Sequence, residues 1–181
     1  MRARTKAKAK TRAFIGLGSN VGRREENLVR ALDLLRASPG IKVLRWASLY
    51  ETEPVGVDLQ PWFLNTAVEV ETELEPLKLL RRLKEIERLM GRQERGRWGP
   101  REIDLDLLLY GDLVLELEGD ELVLPHPELH RRRFVLEPLC ELVPEMVHPR
   151  LKRPLREILA GLDLDEQNQK KVIRLGWRML S

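Results

Sequence analysis

Apolar residues recur at the spacing of one helix face in two parts of the chain. The first stripe runs through residues 24–37 and predicts a helix that ends before Pro39. Its members are Leu28, Ala31, Leu32 and Leu35. The second stripe predicts a helix that begins at Pro76, where a first helical position tolerates proline, and stops at Gly91. Its members are Leu79, Leu83, Ile86 and Met90.

Strands are predicted where shorter apolar or alternating runs lie between turn residues. Such runs occupy residues 12–18, 41–50 and 62–72, and a leucine-rich run begins at Asp104. Further along, VLEPLCEL and PLREILAGL favour short helices separated by prolines. The order is therefore strand, helix, two strands, helix, strand and a mixed tail. This order is typical of an α+β fold in which helices cover a mainly antiparallel sheet.

The charge of the chain is unevenly distributed. The formal net charge is +3, yet six basic side chains and no acid lie among the first twelve residues. We expect a disordered basic arm over residues 1–11 and a single domain over residues 12–181. A basic arm can attract nucleic acid, but the rest of the sequence lacks the interleaved aromatic and basic residues of a nucleic-acid surface. We therefore expect no nucleic-acid partner.

Composition narrows the class of protein further. With 43% hydrophobic and 34% charged residues, the chain is typical of a globular protein. No apolar run approaches the roughly 20 residues that span a bilayer. Cys140 is the only cysteine, so no intrachain disulfide can form. A cytoplasmic protein without membrane association is the simplest expectation.

Two aspartates interrupt the leucine-rich strand. Alternation along a strand sends residues i and i+2 to the same face, so the carboxylates of Asp104 and Asp106 point the same way. Two such anions repel each other unless a cation compensates. Paired carboxylates of this kind can hold Mg²⁺ in phosphoryl transfer, with phosphate oxygens completing the coordination. The alternative is a structural acid pair that forms salt bridges at a sheet edge.

An arginine-rich loop precedes this strand. Arg92, Arg95, Arg97 and Arg101 lie in or directly after the segment GRQERGRWGP. Guanidinium groups bind phosphate in a bidentate manner and stay charged, so the loop suits a triphosphate. The phosphate role is best supported for Arg101. The alternative is a solvated charged loop in which Glu94 pairs with an arginine.

Two aromatic residues and an amide suggest a flat heterocyclic ligand. Phe63 and Asn65 share one face of a predicted strand, and Phe134 follows an arginine run. Aromatic faces stack on planar ligands, and a carboxamide offers both a donor and an acceptor. Taken alone, each phenylalanine is more often a core residue. His126 lies between two prolines, which would fix its imidazole as a donor to phosphate.

Several segments together resemble one known family. RWGPREIDLDLLLYG resembles the signature of 6-hydroxymethyl-7,8-dihydropterin pyrophosphokinase, an enzyme of folate biosynthesis. The likeness runs from about Ala13 to Leu159 and includes IGLGSNVG, YETEPVG, QPWFLNTAV, LMGR, LPHPELHRRRF and PLCELVPEMVHP. It implies a ferredoxin-like, three-layer α-β-α fold with a mainly antiparallel sheet. It also implies transfer of pyrophosphate from ATP to the pterin hydroxymethyl group, with release of AMP.

The resemblance implies roles for individual residues as well. Asp104 and Asp106 would hold two Mg²⁺ ions, with Arg92 and Arg101 as further catalytic residues. The pterin would be bound by Thr52, Val55, Phe63, Asn65 and Phe134. ATP would be bound by Glu87, Arg92, Trp98, Arg101, Leu107, Val123, His126 and Arg132. Of these, Leu107 and Val123 would use mainly backbone atoms. The protein would act as a monomer on these two substrates.

Three positions depart from the family pattern. Glu53 stands where many members have proline, and Phe63 replaces a common tyrosine. Glu94 occupies a position often held by arginine, whose role Arg95 could take. Two other classes stay open: a different two-metal phosphotransferase or nuclease, and a non-catalytic α+β binding module. The first leaves the aromatic residues and the amide unexplained, and the second has no need for adjacent acids beside an arginine loop.

Overall fold

The computed structural model describes residues 9–54, 59–91, 102–162 and 172–175. These residues form eight strands and four α-helices. In chain order they are β1 (Thr11–Ser19), α1 (Arg24–Arg36), β2 (Ile41–Trp46), β3 (Tyr50–Thr52), β4 (Phe63–Thr72), α2 (Pro76–Leu89), β5 (Asp104–Tyr110), β6 (Leu115–Glu116), β7 (Val123–Leu124), α3 (Arg133–Leu142), α4 (Leu155–Ala160) and β8 (Val172–Arg174). Residues 1–8 of the predicted arm lie outside the described residues, and Thr11 already belongs to β1.

The described strands form one large sheet and a separate ribbon. In the six-stranded sheet the order is β5-β1-β4-β3-β8, and β2 also pairs with β4. Each of these pairings is antiparallel. β4 is the central strand, because β1 follows one side of it while β3 and β2 divide the other side. The ribbon consists of β6 and β7.

The prediction of one strand over residues 41–50 is wrong, because the chain divides there into β2 and β3. Between them the Ala47 amide donates to the Ala67 carbonyl, and the Thr66 hydroxyl donates to the Ala47 carbonyl. The connecting residues therefore stay beside β4 without forming a regular ladder. β8 has no counterpart among the predicted strands, since three residues carry too short a pattern. Its place is set by pairing with β3.

Helices cover both faces of the sheet, so the structure has three layers. α1 and α2 pack on one face over a core that includes both predicted apolar stripes. α3 and α4 pack on the opposite face around Phe14, Ala67 and Leu139. The predicted α+β class, a single domain with a mainly antiparallel sheet between helices, is confirmed. No helix among the described residues is both long and apolar enough to cross a membrane.

β5 is the strand that carries the predicted acid pair. It lies at the end of the described sheet, next to β1. A register shift in the β1–β5 ladder places both Leu108 and Leu109 on the α3 side of the sheet. Asp104, Asp106 and Leu108 alternate along the strand and line the same cavity. The acid pair therefore belongs to the face covered by α3.

Candidate active site

A cavity of about 260 Å³ opens on the α3 side of the sheet. Its lining comes from β1, β3, β4, β5 and the start of α3, together with the loops that precede β4 and α3. Many of the residues predicted to bind substrates meet here. They are Thr52, Phe63, Asn65, Asp104, Asp106, His126, Arg132 and Phe134. The fold thus gathers, around one space, side chains that are distant in sequence.

The acid pair lies opposite two glycines of the neighbouring strand. In the β1–β5 ladder Asp104 pairs with Gly18, and Asp106 pairs with Gly16. Both aspartates are half-buried. Directly paired residues lie on the same face of a sheet, so a larger side chain on β1 would occupy the space beside the carboxylates. A Cβ at Gly18 would meet the Asn65 carboxamide oxygen, and a Cβ at Gly16 would contact the Leu108 side chain.

The donor chemistry of this pair fits Mg²⁺. Within the described part of the chain, no three His, Cys, Asp or Glu side chains come together as a metal cluster. Asp104 and Asp106 offer carboxylate oxygens, which are the hard ligands that Mg²⁺ prefers. Magnesium commonly takes one or two carboxylates and completes its coordination with substrate phosphates and water. The acid pair is suited to that mode of binding.

The backbone between the two aspartates is held by α2. The Leu105 amide donates to the Glu87 carboxylate at 2.8 Å, and the Lys84 ammonium donates to the same oxygen at 3.2 Å. Lys84 also lies 3.5 Å from the Leu105 carbonyl oxygen. Glu87 is only 2% exposed and is absent from the cavity lining. The structure therefore places Glu87 as a support for β5, the strand of the acid pair, and its contact with the nucleotide stays a prediction.

The amide that was predicted to bind the heterocycle is held in one orientation. The Asn65 side-chain Nδ2 donates to the Thr52 hydroxyl at 2.7 Å. The carboxamide oxygen Oδ1 lies close to Gly18, where the methyl carbon of an alanine would approach it to 2.6 Å. Only glycine at this position avoids that clash. Gly18 thus pairs with Asp104 across the ladder and leaves room for the Asn65 amide.

Two aromatic rings line the same cavity. Phe63 is the first residue of β4, and Phe134 follows the first residue of α3. Both rings are half-buried. The Arg132 guanidinium lies 5.8 Å from the centre of the Phe134 ring, within the range of a cation–π contact. The cavity therefore offers two ring faces, one amide and one cation to a ligand.

His126 is neutral in this environment. Its backbone amide donates to the Leu108 carbonyl at 2.9 Å, which ties the Pro-His-Pro segment to β5. Burial, followed by the nearby Arg132 charge, lowers the His126 pKa to about 4. Nδ1 accepts a hydrogen bond from the Glu128 amide at 3.2 Å. In a neutral imidazole the proton then resides on Nε2, so this nitrogen is a donor.

Other predicted residues lie elsewhere or outside the described residues. The Leu107 side chain packs in the core under α1 and α2, and Val123 lies in the ribbon; neither lines the cavity. Their roles were assigned to backbone atoms and stay predictions. Four further positions predicted to bind substrates fall outside the described residues. They are Val55, Arg92, Trp98 and Arg101.

Several lining residues were given no individual role in the sequence analysis. They are Gly16, Gly18, Gln60, Thr66, Leu108 and Val135. The alternation of Gly16 and Gly18 within a buried strand is a usable signal, because glycine in a strand often marks a close approach of another group. Gln60 accepts a hydrogen bond from the Asn20 side chain at 3.2 Å, a contact that no local pattern indicates.

Fold and cavity together define a class: an α+β protein in which an acid pair suited to magnesium shares a cavity with two aromatic rings. Residues 14–144 match the family described as 7,8-dihydro-6-hydroxymethylpterin-pyrophosphokinase (HPPK). The chain belongs to this family. The predicted family and the predicted class of enzyme, a pyrophosphokinase of folate synthesis, are confirmed.

Individual relatives agree with this assignment. The 2-amino-4-hydroxy-6-hydroxymethyldihydropteridine pyrophosphokinase of Methylorubrum extorquens is 44% identical over 153 residues, which cover 84% of this chain and 94% of that protein. The folic acid synthesis protein fol1 of Schizosaccharomyces pombe is 46% identical over 150 residues. The match covers 83% of this chain but spans only 20% of the fol1 sequence.

A solved structure supports the fold. The chain resembles Plasmodium falciparum HPPK-DHPS with a TM-score of 0.67 and 17% identity. The likeness covers 94% of this chain and 52% of that one, so this chain spans about half of the Plasmodium protein.

Proposed function

We propose that the chain transfers pyrophosphate from ATP to the 6-hydroxymethyl group of 6-hydroxymethyl-7,8-dihydropterin, in folate biosynthesis. The observation that carries the proposal is the lining of one cavity by Asp104 and Asp106 together with Phe63, Asn65 and Phe134. An acid pair alone suits many phosphotransferases. An acid pair beside two ring faces and a fixed amide suits an acceptor that is flat and heterocyclic.

On the ATP side, Asp104 and Asp106 would hold two Mg²⁺ ions with the phosphates. The ions supply charge neutralisation along the triphosphate. The neutral His126 would donate its Nε2 proton in a hydrogen bond to a phosphate oxygen, and the Arg132 charge lies beside it. By the resemblance to the family, further ATP contacts come from Glu87, Arg92, Trp98, Arg101, Leu107 and Val123.

On the pterin side, Phe63 and Phe134 would stack on the two faces of the ring. The Asn65 carboxamide would bind the polar edge, because its hydrogen bond to Thr52 fixes which end of the amide faces the ligand. Backbone groups near Thr52 and Val55 complete this part of the proposal. Binding both substrates in one cavity places the acceptor hydroxyl next to the triphosphate.

In the proposed reaction the hydroxymethyl oxygen forms a bond to the β-phosphorus of ATP. The bond between that phosphorus and the bridging oxygen to the α-phosphorus breaks, so AMP leaves with the oxygen. The hydroxyl proton passes to solvent. Such transfer depends on alignment and charge neutralisation more than on a strong base. We further propose that the protein works as a cytoplasmic monomer, independent of nucleic acid and membrane.

Phosphorus NMR of a reaction with MgATP and 6-hydroxymethyl-7,8-dihydropterin tests which phosphorus is attacked. We expect AMP and a pterin diphosphate ester to grow in equal amounts. ADP with a pterin monophosphate would identify an ordinary kinase and overturn the proposal. Absence of any product, although both substrates bind in a titration, would favour a binding module. Omitting Mg²⁺ should abolish the reaction, and its persistence would contradict the metal assignment.

A further inference from the structure

Glu141 on α3 joins three parts of the fold through one carboxylate. Its Oε1 accepts hydrogen bonds from the Ser48 amide at 3.1 Å and from the Ser48 hydroxyl at 2.9 Å. Its Oε2 accepts a hydrogen bond from the Tyr50 hydroxyl at 2.7 Å. The Arg174 guanidinium of β8 lies 3.4 Å from Oε1. We call these four residues, Ser48, Tyr50, Glu141 and Arg174, the Glu141 clamp.

The clamp also binds β8 to the sheet. Arg174 donates to the Ser48 hydroxyl at 3.2 Å, and the following Leu175 amide donates to the Leu49 carbonyl at 2.8 Å. β8 pairs with all three residues of β3. This strand lies outside the residues 14–144 that match the family. A segment beyond the shared family region therefore supports β3, which contributes Thr52 to the cavity lining.

The clamp is mostly buried apart from Arg174, whose side chain is 59% exposed. The Glu141 side chain is 14% exposed, and Tyr50 is 4% exposed. Burial raises the pKa of Tyr50 well above its usual range, and the Glu141 carboxylate adds to the effect. For Glu141, burial favours the protonated form, but hydrogen bonds from Tyr50 and Ser48 outweigh it and lower the pKa. Glu141 is therefore a charged acceptor that its neighbours hold in place.

The clamp connects two of the elements that carry proposed pterin contacts, β3 and α3. On β3, Thr52 lies two residues after Tyr50 and holds the Asn65 amide. On α3, Phe134 lies seven residues, about two turns, before Glu141 and so on the same side of the helix. We infer that Glu141 is a positioning residue, which fixes α3 against β3 so that Phe134 and the Asn65–Thr52 pair together fit the pterin. This inference rests on the proposed function.

Replacing Glu141 should separate pterin binding from ATP binding. In Glu141→Ala we expect the Kd for 6-hydroxymethylpterin to rise about tenfold, because the Phe134 ring and the Asn65 amide lose their placement relative to each other. The fluorescence of the pterin provides the titration signal. The KM for ATP should rise clearly less than the pterin Kd, because the acid pair is on β5 and only Arg132 among the ATP-side residues directly adjoins α3. Glu141→Gln should recover part of the affinity, because its amide oxygen still accepts from Ser48. The matched control is Glu145→Ala, which breaks the exposed Arg156–Glu145 ion pair just beyond α3 and should change neither constant.

Three outcomes would overturn the inference. A folded Glu141→Ala with unchanged pterin affinity would do so, as would an equal loss for pterin and ATP, or a Gln variant no better than Ala. If Glu141→Ala does not fold, Arg174→Ala removes one partly exposed contact of the clamp and should still weaken pterin binding selectively; no change there would also contradict the inference. Failure of the proposed function is distinguishable, because the wild-type protein itself would then fail to form AMP and the pterin diphosphate ester.

Discussion

The two faces of the sheet differ most where β1 and β5 pair. On the α1 and α2 side the strands are sealed in an apolar core. The residues there are Ile15, Leu17, Leu105 and Leu107. Their sequence neighbours on the α3 side line the cavity, and Leu17 is the one residue of this core set that also borders it. These neighbours are Gly16, Gly18, Asp104 and Asp106. A single pair of strands thus provides a dry core on one face and a candidate catalytic surface on the other.

This difference follows from the period of two along a strand. Burial of the leucines on one face stabilises the strands in a fixed register. That register then presents the aspartates and glycines on the other face, where they contribute little apolar burial of their own. The α3 face is not polar throughout, since Phe14 and Leu109 pack there against α3 and α4. Stability and chemistry are therefore separated by face and by position along the strand.

The largest effect is expected on the cavity face. Asp104→Asn or Asp106→Asn keeps the shape of the side chain but removes charge that balances Mg²⁺. We expect turnover to fall by about two orders of magnitude or more, while the fold persists and gains stability in the absence of metal as repulsion is relieved. Initial rates and thermal unfolding without metal provide the two measurements.

Asp112→Asn is the matched control, because this aspartate is exposed in the turn directly after β5. It should leave turnover and melting temperature unchanged. Near-normal turnover in both Asp104→Asn and Asp106→Asn would contradict the two-metal assignment. A large loss of stability in them would instead show that the acid pair is structural.

On the face that α1 and α2 cover, we expect the opposite pattern, in which stability falls while substrate binding is retained. Leu32 of α1 is 1% exposed, and Leu32→Ala should lower the free energy of unfolding by about 2–5 kcal/mol through lost burial and a residual cavity. The KM values of both substrates should hold at temperatures where the variant stays folded. Urea unfolding measures the loss, with Arg30→Ala, exposed on the same helix, as control. A selective change in one KM would contradict the separation of the two faces.

The sealed face is also the part of the fold that the sequence predicts best. In the sequence, α1 and α2 each appear as a stripe of apolar residues, because a helix that is buried against a sheet needs apolar residues at helical spacing. The break between β2 and β3 depends instead on contacts of Ala47 with Ala67 and Thr66 across the sheet. β8 depends on pairing with β3 more than 100 residues earlier in the chain. Neither leaves a local pattern.

For the candidate site the division is similar. Asp104 and Asp106 stand out in the sequence because charge interrupts an apolar strand. Phe63 and Asn65 stand out because they share a strand face and lie in a segment that resembles the family. Gly18 matters only through the register that sets it against Asp104 and Asn65. Glu87 and Glu141 hold backbone and side-chain groups from other elements, so single-sequence reasoning has no access to their partners.

A smaller loss, of pterin affinity, is expected from variants on β4 and β1, two of the strands that line the cavity. Asn65→Ala should weaken pterin binding by about 1–3 kcal/mol, because a buried polar edge of the ligand loses its partner. Gly18→Ala should do much the same by displacing the amide, since the added carbon would lie 2.6 Å from the Asn65 Oδ1. If both act through the amide, the double variant binds pterin no more weakly than Asn65→Ala alone. Titrations with pterin and with MgATP test this, and additive losses or an equal loss for ATP would count against it.

The smallest effect concerns His126, which lies between the acid pair and α3, and it appears in the pH dependence of folding stability. Its pKa in the folded protein is about 4, below the ordinary value of 6.5, so between these values the unfolded chain binds a proton that the folded chain does not. Its share of stability is therefore complete above pH 6.5 and is lost as the pH falls towards 4. His126→Asn removes this share while keeping an acceptor near the Glu128 amide. Urea unfolding at pH 7, 5.5 and 4.5 should show the wild type losing more stability on acidification than the variant, because His130 and His148 are present in both. Parallel losses would mean that folding does not lower the His126 pKa, which would contradict the burial argument for a neutral imidazole.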